Sequence, residues 1–329
     1  MGSVRVKLVD RLSLLKTSRV QIIFLLLLSL CYFLFLDYEF GLGRILAQIQ
    51  DVGVLKSLIL MISILFTHVI RSYRLFLYLN LNHGGTAPIT SILFFVRCFS
   101  LLQTYNLMNL FFPFRSGELS FPILLKSVLN IEMTRALGIL TWLRGLDLYF
   151  LLAFLAILTT FQVMELPNVA ICVIFVILLM LPAFLNKEVR LLKIPNTLLQ
   201  HLPRFLSEYS AGMPQNLKAS VYSWALTFLN WSLKLLIFGI FIHALFGLDL
   251  WTSIYSVLGG ELISISPLHA PGGIGSYALG VSAGISFQNE LKLGTAFELG
   301  VILHFFVVTG SFLSLIVSKV ALLLYSNKT

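Results

Sequence analysis

Two long hydrophobic stretches of this chain are interrupted by proline, glycine and polar residues. The first, residues 106–127, reads NLMNLFFPFRSGELSFPILLKS, and the second, residues 264–284, reads SISPLHAPGGIGSYALGVSAG. Lipid cannot hydrogen-bond a free backbone N–H or C=O group, so broken backbone survives at membrane depth only where protein or water covers it. Two such segments at corresponding positions of two halves indicate a binding site between those halves.

The composition predicts an all-α polytopic membrane protein. The chain is 58% hydrophobic and 11% charged, whereas soluble domains carry about 25% charged residues. The longest polar stretch, residues 186–218, is too short for a core of its own. We therefore expect one transmembrane domain over residues 1–329 and no separate cytosolic catalytic module.

Hydrophobic runs divide the chain into candidate spans. Most approach the roughly 20 residues that a helix needs to cross the hydrocarbon. The predicted runs cover residues 20–36, 54–79, 89–109, 136–161, 168–185, 221–246, 251–267 and 295–325. Together they predict about eight transmembrane helices, with two broken or re-entrant segments after the third and seventh runs.

The charged residues behind the net charge of +9 are distributed unevenly along the chain. Basic residues precede the first run and fill the loop at 186–218, whereas the segment 37–53, which we interpret as a short loop, is acidic. The positive-inside rule then places both termini in the cytoplasm. Orientation, with some attraction to anionic lipid, accounts for this charge, so nucleic-acid binding is not needed to explain it.

Counting membrane crossings from a cytoplasmic N-terminus gives five passes in each half of the chain. Each pass of the second half crosses in the direction opposite to its counterpart in the first half. The broken stretches begin at Asn106 and Ser264, about 158 residues apart. This is the pattern of an inverted repeat. We expect repeat one at about residues 1–165 and repeat two at about residues 166–329.

Ionisable and polar residues inside these spans are the candidate site, because charges in hydrocarbon are costly. Arginine offers a planar fork for phosphate, and a glycine run before a short helix leaves N–H groups that attract anions. The candidate head-group residues are Arg115, Glu118, Asn106, Asn109, Arg144, Asp147, Lys234, Pro271, Gly272, Gly273 and Gly275.

Each candidate also has a purely structural interpretation. Lys234 can form a salt bridge between helices, and Arg144 with Asp147, three residues apart, can form a self-contained pair on one helix face. The glycines can be notches for tight helix packing. Arg71 and Arg74 lie toward the cytoplasmic end of their run, and positive-inside anchoring explains most of that placement.

Several chemistries lack their sequence signatures. The chain has no Walker loop, no His/Asp/Glu cluster with metal-ligand spacing, and no G-x-S-x-G elbow. The three cysteines suggest neither a metal site nor a redox pair. We therefore expect no catalytic residue, no metal and no cofactor.

Three motifs carry a resemblance to a known family. Asn109 followed by residues 113–118 (PFRSGE) resembles the N-x-x-x-P-x-R-x-G-E segment of the transmembrane region of lysylphosphatidylglycerol synthase/flippase proteins. The run PGGIG at residues 271–275 resembles that family's second motif, and Arg144 with Asp147 resembles its R-x-x-D pair. The resemblance covers nearly the whole chain.

The resemblance implies lipid translocation or lipid handling in a prokaryotic inner membrane. The fused domain that makes aminoacylated lipid has no counterpart in this sequence, so lipid synthesis is not implied. The family often has a glutamate shortly after its second motif, whereas this chain has Ala278 there. Chemistry that depends on that glutamate is therefore not expected here.

Our leading hypothesis is a flippase for a phosphate-containing lipid, with a membrane phospholipid or another phosphate-bearing lipid as its partner and a homo-oligomer as one possible state. Arg115, Lys234 and the helix start at 271–275 would hold the phosphate, while Arg144, Asp147 and Glu118 would pair in one state and open in another. Two alternatives stay open. One is a membrane-embedded transferase acting on a lipid-linked head group, with Glu118, Asp147 or Glu261 as general base. The other is a non-transporting scaffold for a lipid enzyme.

Overall fold

The computed structural model describes residues 30–82, 91–163, 202–266, 270–286 and 292–326, with the isolated positions 23 and 27. The described residues are helical, with short turns and no strand. The chain divides into two units, residues 1–54 and 55–329.

The smaller unit contains a helix where the sequence predicts a loop. Residues 30–40 are helical, and helix α1 follows at Leu42–Val52, so the expectation of a short loop over 37–53 is wrong. Gly41 has φ 71°, and the Asp37 carboxylate accepts a hydrogen bond from the Leu42 N–H at 2.9 Å. The glycine permits a sharp break, and the carboxylate satisfies an N–H group at the start of the next helix.

The larger unit contains nine further α-helices in the described residues. They are α2 Val54–Asn82, α3 Ile92–Phe111, α4 Ser120–Leu129, α5 Met133–Val163, α6 Leu202–Gly212, α7 Leu217–Phe246, α8 Leu250–Ile265, α9 Ile274–Ser286 and α10 Leu293–Ser326. Four of them, α2, α5, α7 and α10, are long and apolar enough to cross a membrane. An all-α polytopic membrane fold is therefore confirmed.

The predicted runs agree with these helices to within a few residues. The run predicted at 54–79 continues three residues further, to Asn82, and that at 295–325 is α10. The run at 168–185 and residues 186–201 of the loop at 186–218 lie outside the described residues. Helix α6 lies where that loop was expected to form a surface helix at 196–209, although only the part from residue 202 is described.

Local capping fixes where several helices begin. The Ser91 side chain accepts a hydrogen bond from the Phe94 N–H at 3.2 Å, and the Asn216 side chain caps α7 in the same way. Gly247 ends α7 with φ 64°, and Asp249 then caps α8. A side-chain oxygen at the first position and a left-handed glycine at the last satisfy the end groups of a helix.

The first broken stretch folds into a helical hairpin. Helix α3 ends at Phe111, a 3₁₀ turn covers Pro113–Leu119, and α4 begins at Ser120. The rings of Tyr105 on α3 and Phe121 on α4 meet edge to face at 5.1 Å. A Cβ on Gly117 would overlap the backbone of α3 near its end. Helix α4 therefore returns along α3 in the opposite direction.

The second broken stretch forms a hairpin of α8 and α9. Gly259 on α8 packs directly on the backbone of Gly280 on α9, and Gly284 packs on Tyr255 and Ser256. Positions further along α8 thus meet positions earlier on α9, which makes the helices antiparallel. Glycines at these contacts allow the two backbones to approach closely.

The returning helices are short. Helix α4 has 10 residues and α9 has 13, or about 15 and 20 Å at 1.5 Å per residue. Neither length alone spans the roughly 30 Å of hydrocarbon. Each hairpin precedes a long helix, α5 with 31 residues and α10 with 34. The inverted relation between the halves stays a prediction.

Candidate functional site

The tips of the two hairpins meet through Arg115. Its Nη1 donates a hydrogen bond to the backbone carbonyl oxygen of Ser264 at 2.5 Å, across 149 positions of sequence. Ser264 lies in the last turn of α8, which leads into the second break. The structure thus places the arginine of the first broken stretch against the end of the second.

An unusual backbone directs this arginine inward. Phe114 and Arg115 have φ of 52° and 56°, the left-handed region that costs non-glycine residues energy. Phe114 is 77% exposed, whereas Arg115 is buried. Two consecutive residues in this region persist only where surrounding structure holds them, and such positions cluster at functional sites.

Glu118 forms ion pairs with two arginines. Arg115 Nη2 lies 2.5 Å from Glu118 Oε1, and Arg144 Nε lies 3.3 Å from the same oxygen. Arg144 also donates to the Tyr105 hydroxyl at 2.6 Å. Both guanidinium groups therefore compete for one carboxylate oxygen, and Arg144 is held in place by a neutral acceptor on α3.

A second carboxylate, Asp147, lies among three arginines. Arg74 Nη1 is 2.8 Å from Asp147 Oδ1, Arg144 Nη1 is 3.5 Å from Oδ2, and Arg71 Nη2 is 4.0 Å from Oδ2. The Trp231 indole N–H donates to Asp147 Oδ1 at 3.2 Å. Arg144 and Asp147 are therefore not a self-contained pair.

The interpretation of Arg71 and Arg74 as interface anchors is wrong for Arg74. Its side chain is 5% exposed, binds Asp147 and donates to the Thr227 hydroxyl at 2.6 Å. Helix α2 continues to Asn82, so Arg74 lies two turns from its end. A buried polar face, which includes His68 and Ser72, is the sequence signal that the anchoring interpretation missed.

Lys234 forms the third ion pair. Its Nζ lies 2.7 Å from Glu261 Oε2, and the Tyr277 hydroxyl donates to Glu261 Oε1 at 3.1 Å. The ammonium group also lies over the rings of Trp231 and Phe238. The helix-bridging salt bridge considered for Lys234 is present, and its partner is Glu261, which the sequence offered only as a candidate general base.

A cavity of about 100 Å³ lies among these groups, enough for about three waters. Its described walls are His68, Arg71, Asn106, Asn109, Leu110, Arg115, Arg144, Trp231, Lys234, Glu261, Ser264, Ile265, Tyr277, His304, Val307 and Ser311. Five of the candidate residues therefore line one cavity: Asn106, Asn109, Arg115, Arg144 and Lys234. Glu118 and Asp147 are not among its walls but form ion pairs with its arginines.

Two polar atoms at this cavity retain binding capacity. Asn109 Oδ1 and Arg71 Nε are buried and have no hydrogen-bond partner among the described residues. Asn106 Nδ2, by contrast, is 3.4 Å from Gln103 Oε1. Buried polar atoms are normally satisfied, so an acceptor and a donor facing a cavity indicate a place for a ligand or water.

The glycine turn lies outside the cavity walls as described. Gly272 and Gly273 have φ of 68° and 70°, and the Gly273 N–H donates to the Ala270 carbonyl oxygen at 2.8 Å. The Ser276 hydroxyl accepts from the Ala270 N–H at 3.1 Å. The turn, including Pro271 and Gly275, thus positions α9, whose Tyr277 reaches the cavity.

Ala278, which stands where the related sequences often have glutamate, is a packing position. It is fully buried, and a Cβ on Gly300 of α10 would overlap its backbone. Gly300 thus allows the backbones of α9 and α10 to approach closely here. Among the described residues, no three His, Cys, Asp or Glu side chains group in a way that could hold a metal ion.

The fold and site define a polytopic α-helical membrane protein in which two broken helical hairpins meet at a buried, charged cavity. The family model described as the lysylphosphatidylglycerol synthase TM region matches residues 22–318. The chain therefore belongs to this family, which gives it a membrane lipid-related role. No curated protein and no solved structure matches the chain.

Proposed function

We propose that this protein translocates a phosphate-containing lipid across the prokaryotic inner membrane. The observation that carries the proposal is the cavity at the hairpin tips, walled by Arg71, Arg115, Arg144 and Lys234. Membrane-embedded charges of this kind mark substrate pathways. The head group would occupy the cavity, while the acyl chains would stay in the bilayer.

Phosphate suits the donors of this cavity. Guanidinium groups bind phosphate oxygens in pairs, and such charge-assisted bonds are the strong ones. Arg115 uses Nε and Nη2 for Glu118 and Nη1 for the Ser264 carbonyl oxygen. A phosphate that takes these donors would release the hairpin tips from each other.

This exchange supplies a conformational mechanism. A ligand shifts an equilibrium only by its differential affinity for the two states. Phosphate would bind the state in which Arg115 and Arg144 have left Glu118, and would thereby favour separation of the tips. Alternating access would then arise from movement of one repeat against the other, with both termini in the cytoplasm.

The carboxylates favour transport over catalysis. Glu118 pairs with two arginines, Asp147 lies among three, and Glu261 pairs with Lys234 and Tyr277. A general base needs an accessible lone pair, and each of these carboxylates is engaged by at least one cation. We therefore propose binding and release of lipid without chemical change.

The test is translocation by purified protein in proteoliposomes that contain tail-labelled fluorescent phospholipid. Arg115→Ala should reduce the rate by about ten- to a hundredfold, the range for one hydrogen bond to a charged group. Arg115→Lys should restore only part, because lysine keeps the charge and loses the fork. The matched control is Arg97→Ala, because Arg97 is exposed and does not line the cavity.

The outcomes separate the alternatives. Wild-type rates in Arg115→Ala would make Arg115 a structural residue and refute this phosphate site. Donor turnover by purified wild-type protein, without lipid movement, would favour the transferase alternative. Co-purification with a lipid enzyme, combined with silent mutations of the cavity residues, would favour the scaffold.

A further inference from the structure

The charges around the cavity do not balance. Among the described residues, the ion-pair network contains five cations and three carboxylates, a net charge of +2 with histidine counted as neutral. The cations are Arg71, Arg74, Arg115, Arg144 and Lys234, and the carboxylates are Glu118, Asp147 and Glu261.

An imbalance of this kind needs an anion. Buried charge is costly unless it is paired, and the cost grows where lipid replaces water around the protein. Arg74 and Arg115 are buried, and none of the five cations is more than 17% exposed. A single negative charge in the cavity would leave one cation uncompensated, whereas two would balance the site.

We propose that the head group recognised here carries two negative charges, as a phosphomonoester or a diphosphate does. This inference rests on the proposed lipid translocation and names its substrate class. A phosphomonoester carries about −1.5 to −2 charges near pH 7 and has three terminal oxygens. A phosphodiester carries one charge and has two such oxygens, so it matches the site less well.

The geometry offers two cationic groups with spare capacity and a third, Arg115, that can exchange its partner. Arg71 is 4.0 Å from its nearest carboxylate oxygen and has an unpartnered Nε. Lys234 has one carboxylate partner at 2.7 Å and three donor hydrogens. Arg115 would exchange Glu118 for phosphate. Three cations on the walls of one cavity correspond to the three terminal oxygens of a phosphomonoester.

Binding tests the inference independently of transport. Purified protein in neutral detergent is titrated with short-chain phosphatidic acid, phosphatidylglycerol or phosphatidylcholine, and thermal unfolding is followed. The pH is kept about 8, above the second phosphate pKa of about 6. We expect phosphatidic acid to bind at least about tenfold more tightly than phosphatidylglycerol. Equal affinity for the two, or preference for phosphatidylcholine, overturns the inference.

A titration with inorganic phosphate distinguishes a lipid head group from free phosphate as the ligand. If inorganic phosphate stabilises the protein as well as phosphatidic acid at equal concentration, the ligand is free phosphate and the lipid class proposed here is wrong. If phosphatidic acid binds selectively but does not cross proteoliposomes, the charge inference stands and the proposed translocation fails. The two proposals can therefore fail separately.

A variant that removes one cation tests the net charge of the ion-pair network directly. Arg71→Gln lowers the net charge of the network to +1 and should reduce the affinity ratio of phosphatidic acid to phosphatidylglycerol by about tenfold. Arg97→Gln removes an exposed cation away from the cavity and should leave the ratio unchanged. An unchanged ratio in Arg71→Gln, with the variant folded by circular dichroism, overturns the charge-balance argument.

Discussion

Asp147 is the counter-charge of a buried network, and removing its charge tests whether the network stabilises the fold. Its side chain is 1% exposed and contacts arginines on α2 and α5. Asp147→Asn keeps the shape of the side chain and removes the charge. Arg74, at 5% exposure, would then be a buried guanidinium without a carboxylate partner.

The magnitude follows from the geometry. Two unit charges about 4 Å apart attract by about 4 kcal/mol at an effective dielectric constant of about 20. Removing one partner of a buried pair costs about 3–5 kcal/mol, because the other charge stays buried. We expect Asp147→Asn to lower the free energy of unfolding by this amount. Arg74→Gln should lie at the lower end, since Asp147 keeps Arg144 at 3.5 Å and Arg71 at 4.0 Å.

The assay is reversible unfolding in mixed micelles, followed by circular dichroism, for Asp147→Asn, Arg74→Gln and the double variant. Residues in direct contact are expected to couple by about 0.5–3 kcal/mol. Arg97→Gln is the control and should stay within about 0.5 kcal/mol of wild type. A loss below about 1 kcal/mol for Asp147→Asn, or strict additivity of the two single changes, would refute the reasoning.

Two further predictions use the same unfolding assay. Gly117→Ala should destabilise by about 1–3 kcal/mol because its Cβ would overlap α3 backbone, whereas Gly275→Ala, with open space around it, should not. Equal costs for both would contradict the tight hairpin turn. Lys234→Glu or Glu261→Lys alone should destabilise the protein by replacing a 2.7 Å ion pair with two like charges. The double swap should recover part of the stability, and no recovery would show that the pair is not what stabilises this contact.

The sequence could predict the features that depend on local patterns. Hydrophobic runs predicted most helices to within a few residues, because crossing a bilayer needs a minimum length of apolar helix. The breaks after Asn106 and Ser264 were visible in proline and glycine. Arg115 was identified because charge at membrane depth is costly.

The sequence could not predict partners that lie far apart along the chain. Arg74 and Asp147 are 73 positions apart, and Lys234 finds Glu261 on another helix. No local period specifies such pairs, so Arg74 was interpreted as an anchor and Glu261 was considered only as a general base. The α1 helix was missed because acidic residues near Gly41 resemble a loop until Asp37 is known to cap the helix.

Glu118 provides the last prediction, because it competes with the proposed ligand. It is 31% exposed and accepts from Arg115 and Arg144, the groups that phosphate must capture. Glu118→Gln would remove that competition, so short-chain phosphatidic acid should bind about tenfold more tightly. Release should slow by a similar factor, because the carboxylate no longer displaces phosphate as the site closes. Tighter binding together with slower translocation is therefore the expected signature, and weaker binding would show that Glu118 holds the arginines in the geometry that phosphate needs.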